Sequence, residues 1–219
     1  MAAIWLWLAL FALGAFHGIN PAMGWLFAVC LGLQERRRTA VLAALPPIAL
    51  GHALSVGLIV ALVAVLRVKL EPAAVKYSAA AILIVYGLYR LIRARHPRWV
   101  GMQVGFRDLT LWSFLMASAH GAGLMLIPVF LARSPDAHTG MNHHQPATGH
   151  NLHFAFTNAP GVLTAAVVVH TLGHLLTAGV LALLVYEKLG LAILRTAWFN
   201  IDLTWALALI AIGIILALI

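Results

Sequence analysis

Acidic side chains and cysteines are the residues that this sequence has least of. Asp and Glu together number 6 in 219 residues, and the 1 cysteine, Cys30, lies in an apolar run. A single cysteine excludes an internal disulfide, and so few carboxylates argue against hydrolytic chemistry, which usually needs a general base. No GxSxG, P-loop or dinucleotide-binding glycine motif is present. The common sequence signatures of soluble enzymes are therefore missing.

Charged residues of both signs are also rare, at 9% of the chain, whereas 63% of the residues are hydrophobic. This composition excludes a soluble domain and predicts a polytopic protein embedded in a lipid bilayer. The N-terminal segment has no basic region, so we expect it to be a first span and not a cleaved signal peptide. We predict an all-α integral membrane protein with six transmembrane helices near residues 4–33, 44–66, 74–93, 109–132, 160–186 and 199–218.

The basic residues are distributed unevenly between the loops. Of the 14 Lys and Arg residues, ten lie in the first, third and fifth loops, which leaves four in the second and fourth. The positive-inside rule then places the odd loops in the cytoplasm and both termini outside, with the protein in the cytoplasmic (inner) membrane. The formal charge of +8 is explained by this orientation, and we expect no nucleic-acid partner.

The two halves of the sequence resemble each other. Leu50 to Gly57 matches Leu172 to Gly179 in the order of small, hydroxyl and histidine residues, and Phe16-His17-Gly18 matches Ala119-His120-Gly121. We predict two three-helix repeats, residues 1–107 and 108–219. An odd number of spans per repeat requires the second copy to be inverted, and inverted repeats place binding sites near the membrane midplane.

The first predicted span is interrupted by polar and helix-breaking residues, among them His17, Asn20 and Pro21. Proline lacks an N–H group and kinks or breaks a helix, and broken membrane helices often build binding sites. Polar residues at bilayer depth are energetically expensive. We therefore expect a functional site here.

Five of the 11 histidines fall inside predicted spans. Two of them are spaced i and i+4, so they share one face of a helix. Converging imidazoles suit a divalent transition metal (Zn, Ni, Co, Cu or Fe) much better than Mg²⁺ or Ca²⁺, although they can also transfer protons. The predicted metal ligands are His17, His52, His120, His170 and His174.

Two further polar residues are candidate accessories to this site. Asn20 lies beside Pro21 in the broken span, and Asp202 lies near the start of the sixth. Asp202 is a candidate ligand, proton acceptor or partner that orients a ligand histidine, but it also fits a simple helix cap.

The loop at 133–159 is predicted to be external and is rich in histidine. Short histidine-rich tracts are typical of metal binding, so the loop is expected either to capture ions or to be a polar connector. Its histidines are His138, His143, His144, His150 and His153.

Six spans in two inverted triplets, with His17, Asn20 and Pro21 in the first, resemble the LysE exporter superfamily. Its nickel/cobalt-exporter branch is the most similar, with His52 and the loop at 138–153 as further points of likeness. That branch has an Asp-His pair after the proline, where this chain has Ala22-Met23. The resemblance implies export of a divalent metal ion.

Several functions thus stay open at the level of the sequence. The first is a membrane transporter, an exporter by resemblance, whose partners are a metal ion and the lipid bilayer. The alternative is a membrane-integral metalloenzyme with a histidine-ligated centre that acts on a lipid or small apolar substrate. Paired histidines also suit a haem- or quinone-associated subunit. Whether the chain is an enzyme, and whether it forms a homo-oligomer, are left open.

Overall fold

The computed structural model describes residues 2–92, 105–131, 160–189 and 201–218. These residues are 93% helical and contain no strand, so the all-helical prediction is confirmed for them. The α-helices are α1 (Ala2–Ile19), α2 (Trp25–Glu35), α3 (Arg38–Lys69), α4 (Pro72–Ile92), α5 (Phe106–Ala119), α6 (Ile127–Leu131), α7 (Pro160–Leu184) and α8 (Ile201–Leu218).

Three helices are long and apolar enough to cross a membrane, at Arg38–Leu66, Ala73–Ile92 and Pro160–Lys188. A bent pair of helices, Phe106–Ala119 and Leu124–Phe130, meets the same criterion as a fourth span. The apolar helices at both ends of the chain, Ile4–Ile19, Trp25–Glu35 and Leu203–Leu218, are shorter. The apolar helices indicate a membrane-embedded protein with three to four candidate spans.

The first predicted span is broken where the sequence indicated. Between α1 and α2, Pro21–Met23 forms a 3-10 turn, and the Asn20 side chain caps it by accepting a hydrogen bond from the Ala22 N–H at 2.9 Å. Gly24 follows with φ 115°, a left-handed conformation that strains any residue with a Cβ. The proline and this glycine together explain why the helix stops and restarts.

A second break, which we did not predict, interrupts the fourth span between α5 and α6. The chain turns through His120 to Gly123, with Gly121 at φ 68°, and the helices on either side are bent by 51°. Two carbonyls at this break accept hydrogen bonds from side chains: Tyr86 Oη donates to Ala119 O, and Trp205 Nε1 donates to His120 O at 2.6 Å. These bonds replace backbone partners that the break removes.

The closest helix pairs are α1 with α7, α3 with α5, and α4 with α8. In the last pair, a Cβ on Gly87 would lie 2.6 Å from Ile210 Cγ1, and one on Gly213 would lie 2.7 Å from Ile84 Cγ1. Each glycine therefore packs against an isoleucine of the partner helix. That isoleucine lies three residues before the glycine of its own helix. This reciprocal contact lets the two helices approach closely.

The other two helix pairs, α3–α5 and α1–α7, are each joined by a hydrogen bond. Ser113 Oγ on α5 donates to Ile48 O on α3 at 2.6 Å, and His170 Nδ1 on α7 donates to Leu10 O on α1 at 3.2 Å. Both bonds run from a side chain to a main-chain carbonyl of the facing helix. Ser113 and His170 are buried, and a hydrogen bond is stronger in the low dielectric of a protein interior.

We expect Gly51→Ala to destabilise the protein. A Cβ at Gly51 would overlap Thr110 O and lie 2.8 Å from Phe114 N on α5, so α3 and α5 would have to separate. Overpacking of this kind typically lowers the free energy of unfolding by about 1–3 kcal/mol. Thermal unfolding of the detergent-purified protein measures the change.

Gly57→Ala is the matched control, because it lies on the same helix and its Cβ would meet nothing within 4 Å. This variant should unfold at or above the parent's temperature, since alanine is the better helix former. Equal unfolding temperatures for the two variants would contradict the close α3–α5 packing.

Candidate functional site

All five histidines of the helical segments are completely buried, with 0% of each side chain exposed. His17 lies in the last turn of α1, His52 in α3, His120 directly after α5, and His170 and His174 in α7. Full burial is unusual for histidine and requires each ring nitrogen to find a partner or remain unsatisfied.

Four of these rings form a contiguous group, here called the histidine cluster: His17, His52, His170 and His174. The rings of His52 and His174 stack at 4.0 Å between centroids with an interplanar angle of 2°. His170 lies 5.3 Å from His52 and 5.1 Å from His17, and His17 lies 5.7 Å from His52. The structure therefore brings together four of the five histidines that the sequence analysis selected.

Small residues explain how α1 and α7 come close enough to form the cluster. A Cβ on Gly18 would lie 2.5 Å from His174 O and 2.8 Å from Thr177 Cβ, and one on Gly14 would overlap His170 O. On the opposite side, a Cβ on Gly173 would overlap Phe11 O. The two backbones thus pack directly against each other and hold His17 beside the α7 histidines.

Most ring nitrogens of the cluster have no hydrogen-bond partner among the described residues. His17 Nδ1 lies 2.8 Å from Leu13 O, and His170 Nδ1 lies 3.2 Å from Leu10 O. A carbonyl only accepts, so each Nδ1 carries the proton and each Nε2 has a lone pair that no described residue satisfies. Within the described ranges, both nitrogens of His52 and of His174 also lack a hydrogen-bond partner.

The backbone of Met23 approaches His174 but does not reach hydrogen-bond geometry. A buried polar group without a partner destabilises the folded state by about 1–3 kcal/mol. Several neighbouring nitrogens of the histidine cluster carry this penalty. Ordinary helix packing does not require so many buried polar atoms without partners.

His120 has a different environment from the other four. Its Nδ1 donates to Met116 O at 2.8 Å, and its Nε2 accepts from Arg90 Nη2 at 3.1 Å. Arg90 is buried, with 6% of its surface exposed. The indole of Trp205 lies 4.5 Å from the His17 ring and 6.2 Å from the His120 ring, so it lies beside both.

Sequence reasoning missed Arg90 and Trp205. The sequence places Arg90 among the ten basic residues that set orientation, because it lies near the end of the third predicted span. Its burial depends on contacts with another helix, and no local pattern indicates them. Trp205 had no signal beyond being aromatic in an apolar segment.

The cluster is not arranged as a finished metal site. Within the ranges that the structure describes, no group of three or more His, Cys, Asp or Glu side chains has a geometry that could hold a metal ion. The stacked rings of His52 and His174 present faces to each other and not lone pairs. Metal binding would require these rings to rotate about their side-chain torsions.

The accessory residues differ in what can be said of them. Asn20 is buried, with 2% exposed, and its Nδ2 has no partner among the described residues. Asp202 is the second residue of α8, but its side chain lies outside what the structure describes. The loop histidines lie outside the described residues as well: His138, His143, His144, His150 and His153.

No protein-family model, curated protein or solved structure matches this chain.

We expect His52→Leu to stabilise the protein in the presence of a chelator. Leucine has nearly the volume of histidine but no polar atoms, so the variant removes two buried nitrogens without partners. Relief of this penalty should raise the free energy of unfolding by about 1–3 kcal/mol. The unfolding temperature of the detergent-purified variant measures it.

His120→Leu is the matched control. It removes a ring whose two nitrogens are hydrogen-bonded and leaves the buried Arg90 without this acceptor, so it should lower the unfolding temperature. If His52→Leu destabilised as much as His120→Leu, the cluster would be ordinary packing.

Proposed function

We propose that this protein is a membrane transporter, in the export direction, for a divalent transition-metal ion, with the histidine cluster as its binding site. One observation carries the proposal: buried imidazole nitrogens of four histidines, drawn from three helices, lie together without hydrogen-bond partners among the described residues. Such nitrogens destabilise the fold, and a ligand that binds them at some stage of a transport cycle explains why the chain has them.

The donor set fits a borderline metal cation. Imidazole suits Zn²⁺, Ni²⁺, Co²⁺, Cu²⁺ and Fe²⁺, and the hard cations Mg²⁺ and Ca²⁺ prefer oxygen ligands. The carbonyls of Leu13 and Leu10 hold the Nδ1 protons of His17 and His170, which fixes the tautomer and leaves each Nε2 to bind. Metal-ligating histidines usually have such a carbonyl partner.

The same geometry favours cargo over a resident cofactor. A structural or catalytic centre holds its ligands in place before the metal binds. Here the rings of His52 and His174 are stacked, and binding requires them to turn. An ion held in this way exchanges readily, as transport needs.

For the architecture, we propose six spans in two inverted repeats, residues 1–107 and 108–219. Aligning His17 with His120 makes Leu10 equivalent to Ser113, and aligning His52 with His174 makes Ile48 equivalent to His170. The Ser113–Ile48 and His170–Leu10 hydrogen bonds then join equivalent positions. This correspondence supports an internal repeat over chance packing of apolar helices.

Two further observations support an internal two-fold axis. Gly87 is equivalent to Gly213, and each receives the isoleucine that lies three residues before the other. His52 and His174 are equivalent to each other, and their rings stack. A two-fold axis brings equivalent positions into contact only where it passes between them, so the axis runs through the histidine cluster.

The proposed membrane, orientation and partners follow the sequence. Both termini are extracytoplasmic in the inner membrane, and the histidine-rich loop at 133–159 meets the ion outside. The resemblance of His17, Asn20 and Pro21 to the LysE exporter superfamily agrees with a metal cargo and provides the direction of transport.

Reconstitution in proteoliposomes tests the function. The parent protein should move Zn²⁺, Ni²⁺ or Co²⁺ across the membrane, and a His17→Leu/His174→Leu double variant should lose at least about 10-fold in flux because two ligands are gone. A metal-sensitive dye inside the vesicles measures the flux.

Lys76→Gln is the control for handling and incorporation, since Lys76 lies at the other end of α4 from Arg90 and outside the cluster. It should transport like the parent. Absence of flux for all of these metals in the parent would reject the proposal. Stoichiometric metal that survives chelator treatment would instead point to a resident centre.

A further inference from the structure

His17 and His120 are built in the same way. Each lies at the end of the helix that precedes a break, α1 or α5. Each ring places Nδ1 at 2.8 Å from the carbonyl four residues earlier, Leu13 O or Met116 O. Each therefore carries its proton on Nδ1 and has its lone pair on Nε2.

The two Nε2 atoms nevertheless have different partners. Nε2 of His17 has none among the described residues, and its ring contacts the rings of His52 and His170. Nε2 of His120 accepts a hydrogen bond from Arg90, a guanidinium that is buried beside it. In chemically equivalent positions, one imidazole is available as a ligand and the other is occupied.

The repeat explains where this asymmetry originates. The alignment of Gly87 with Gly213 makes Arg90 equivalent to Leu216, so only one half of the protein has a guanidinium at this position. His52 and His174 are by contrast equivalent to each other, and their rings stack. They are here called the axial pair, because the proposed two-fold axis passes between them. An ion bound to the axial pair therefore has a candidate third histidine in each half, His17 or His120, whereas His170 has no counterpart because its equivalent is Ile48.

We infer that His17 and His120 alternate as the third ligand of the ion bound at His52 and His174, one in each of two opposite-facing states. This inference rests on the proposed function. The conformation described here corresponds to the first of these states before the rings turn to bind: His17 lies beside His52, and Arg90 is bonded to Nε2 of His120. In the other state His120 breaks its hydrogen bond with Arg90. It then lies beside His174, as His17 now lies beside His52.

The two backbone breaks allow this exchange. Gly24, with φ 115°, and Gly121, with φ 68°, sit beyond the ends of α1 and α5, where a change of backbone angle reorients the histidine without bending a continuous helix. Arg90 is a positioning residue, because it acts on the ion only through His120. Trp205 lies beside both rings.

A comparison of apparent metal affinity from the two sides of the membrane tests the inference. His17→Ala should raise the KM for Zn²⁺ on one side by at least about 10-fold, and His120→Ala should raise it on the opposite side by a similar factor. On its unaffected side each variant should stay within about 2-fold of the parent.

Arg90 provides a second kinetic test. Arg90→Gln releases His120, so the two-sided balance of apparent affinities should shift towards the His120 side. Arg90→Lys keeps a buried donor and should partly restore the parent's balance. A purely structural arginine would change unfolding temperature without changing the ratio of the two KM values.

Cross-linking measures the exchange without any metal. In a Cys30→Ala background, we would introduce His17→Cys/His52→Cys in one protein and His120→Cys/His174→Cys in another, and treat each with a short bifunctional methanethiosulfonate. Both pairs should be bridged, as read from intact mass. The single-cysteine variants are the controls.

The outcomes separate this inference from the proposed function. Bridging of the first pair alone, or flux through His120→Ala with unchanged KM on both sides, would overturn the alternation while metal transport remained. Bridging of both pairs in a protein whose parent moves no metal would reject the cargo and retain the exchange of the two histidines.

Discussion

A buried nitrogen that has no hydrogen-bond partner is the constraint on which the structure of this protein depends. In an apolar medium each such atom opposes folding, so helices made of leucine, valine and alanine must pack well enough to outweigh the histidine cluster. The glycines of α1 and α7 make that packing close, because they let the two backbones touch. Stability comes from the apolar contacts between helices, and the histidine cluster lies where α1 and α3 pack against α7.

The sequence predicted those parts of the site that depend on local chemistry. Pro21 and Gly24 interrupt a helix by their own backbone properties, so the first break was predictable, and the spacing of His170 and His174 fixed a common helix face. The resemblance between the halves predicts that His17 and His52 approach His120 and His174; His174 does lie in the cluster, but His120 is bonded to Arg90 instead. Each of these inferences needs only residue type and spacing.

What the sequence did not predict depends on contacts between distant helices. The second break contains no proline at its turn, and its freed carbonyls are satisfied by Tyr86 and Trp205, which lie on other helices. Arg90 resembles an ordinary boundary arginine until the fold buries it against His120. The separation of His120 from the cluster therefore could not be read from a pattern that treats all five histidines alike.

The two breaks differ in how they are secured, and this difference affects their stiffness. The first is secured within its own segment, by Asn20 accepting from the Ala22 N–H two residues later and by the Trp25 indole donating to Ile19 O. The second is tied to α4 through Tyr86 and to α8 through Trp205. It behaves as a tethered hinge, and any motion of α5 against α6 must draw the α4–α8 pair with it.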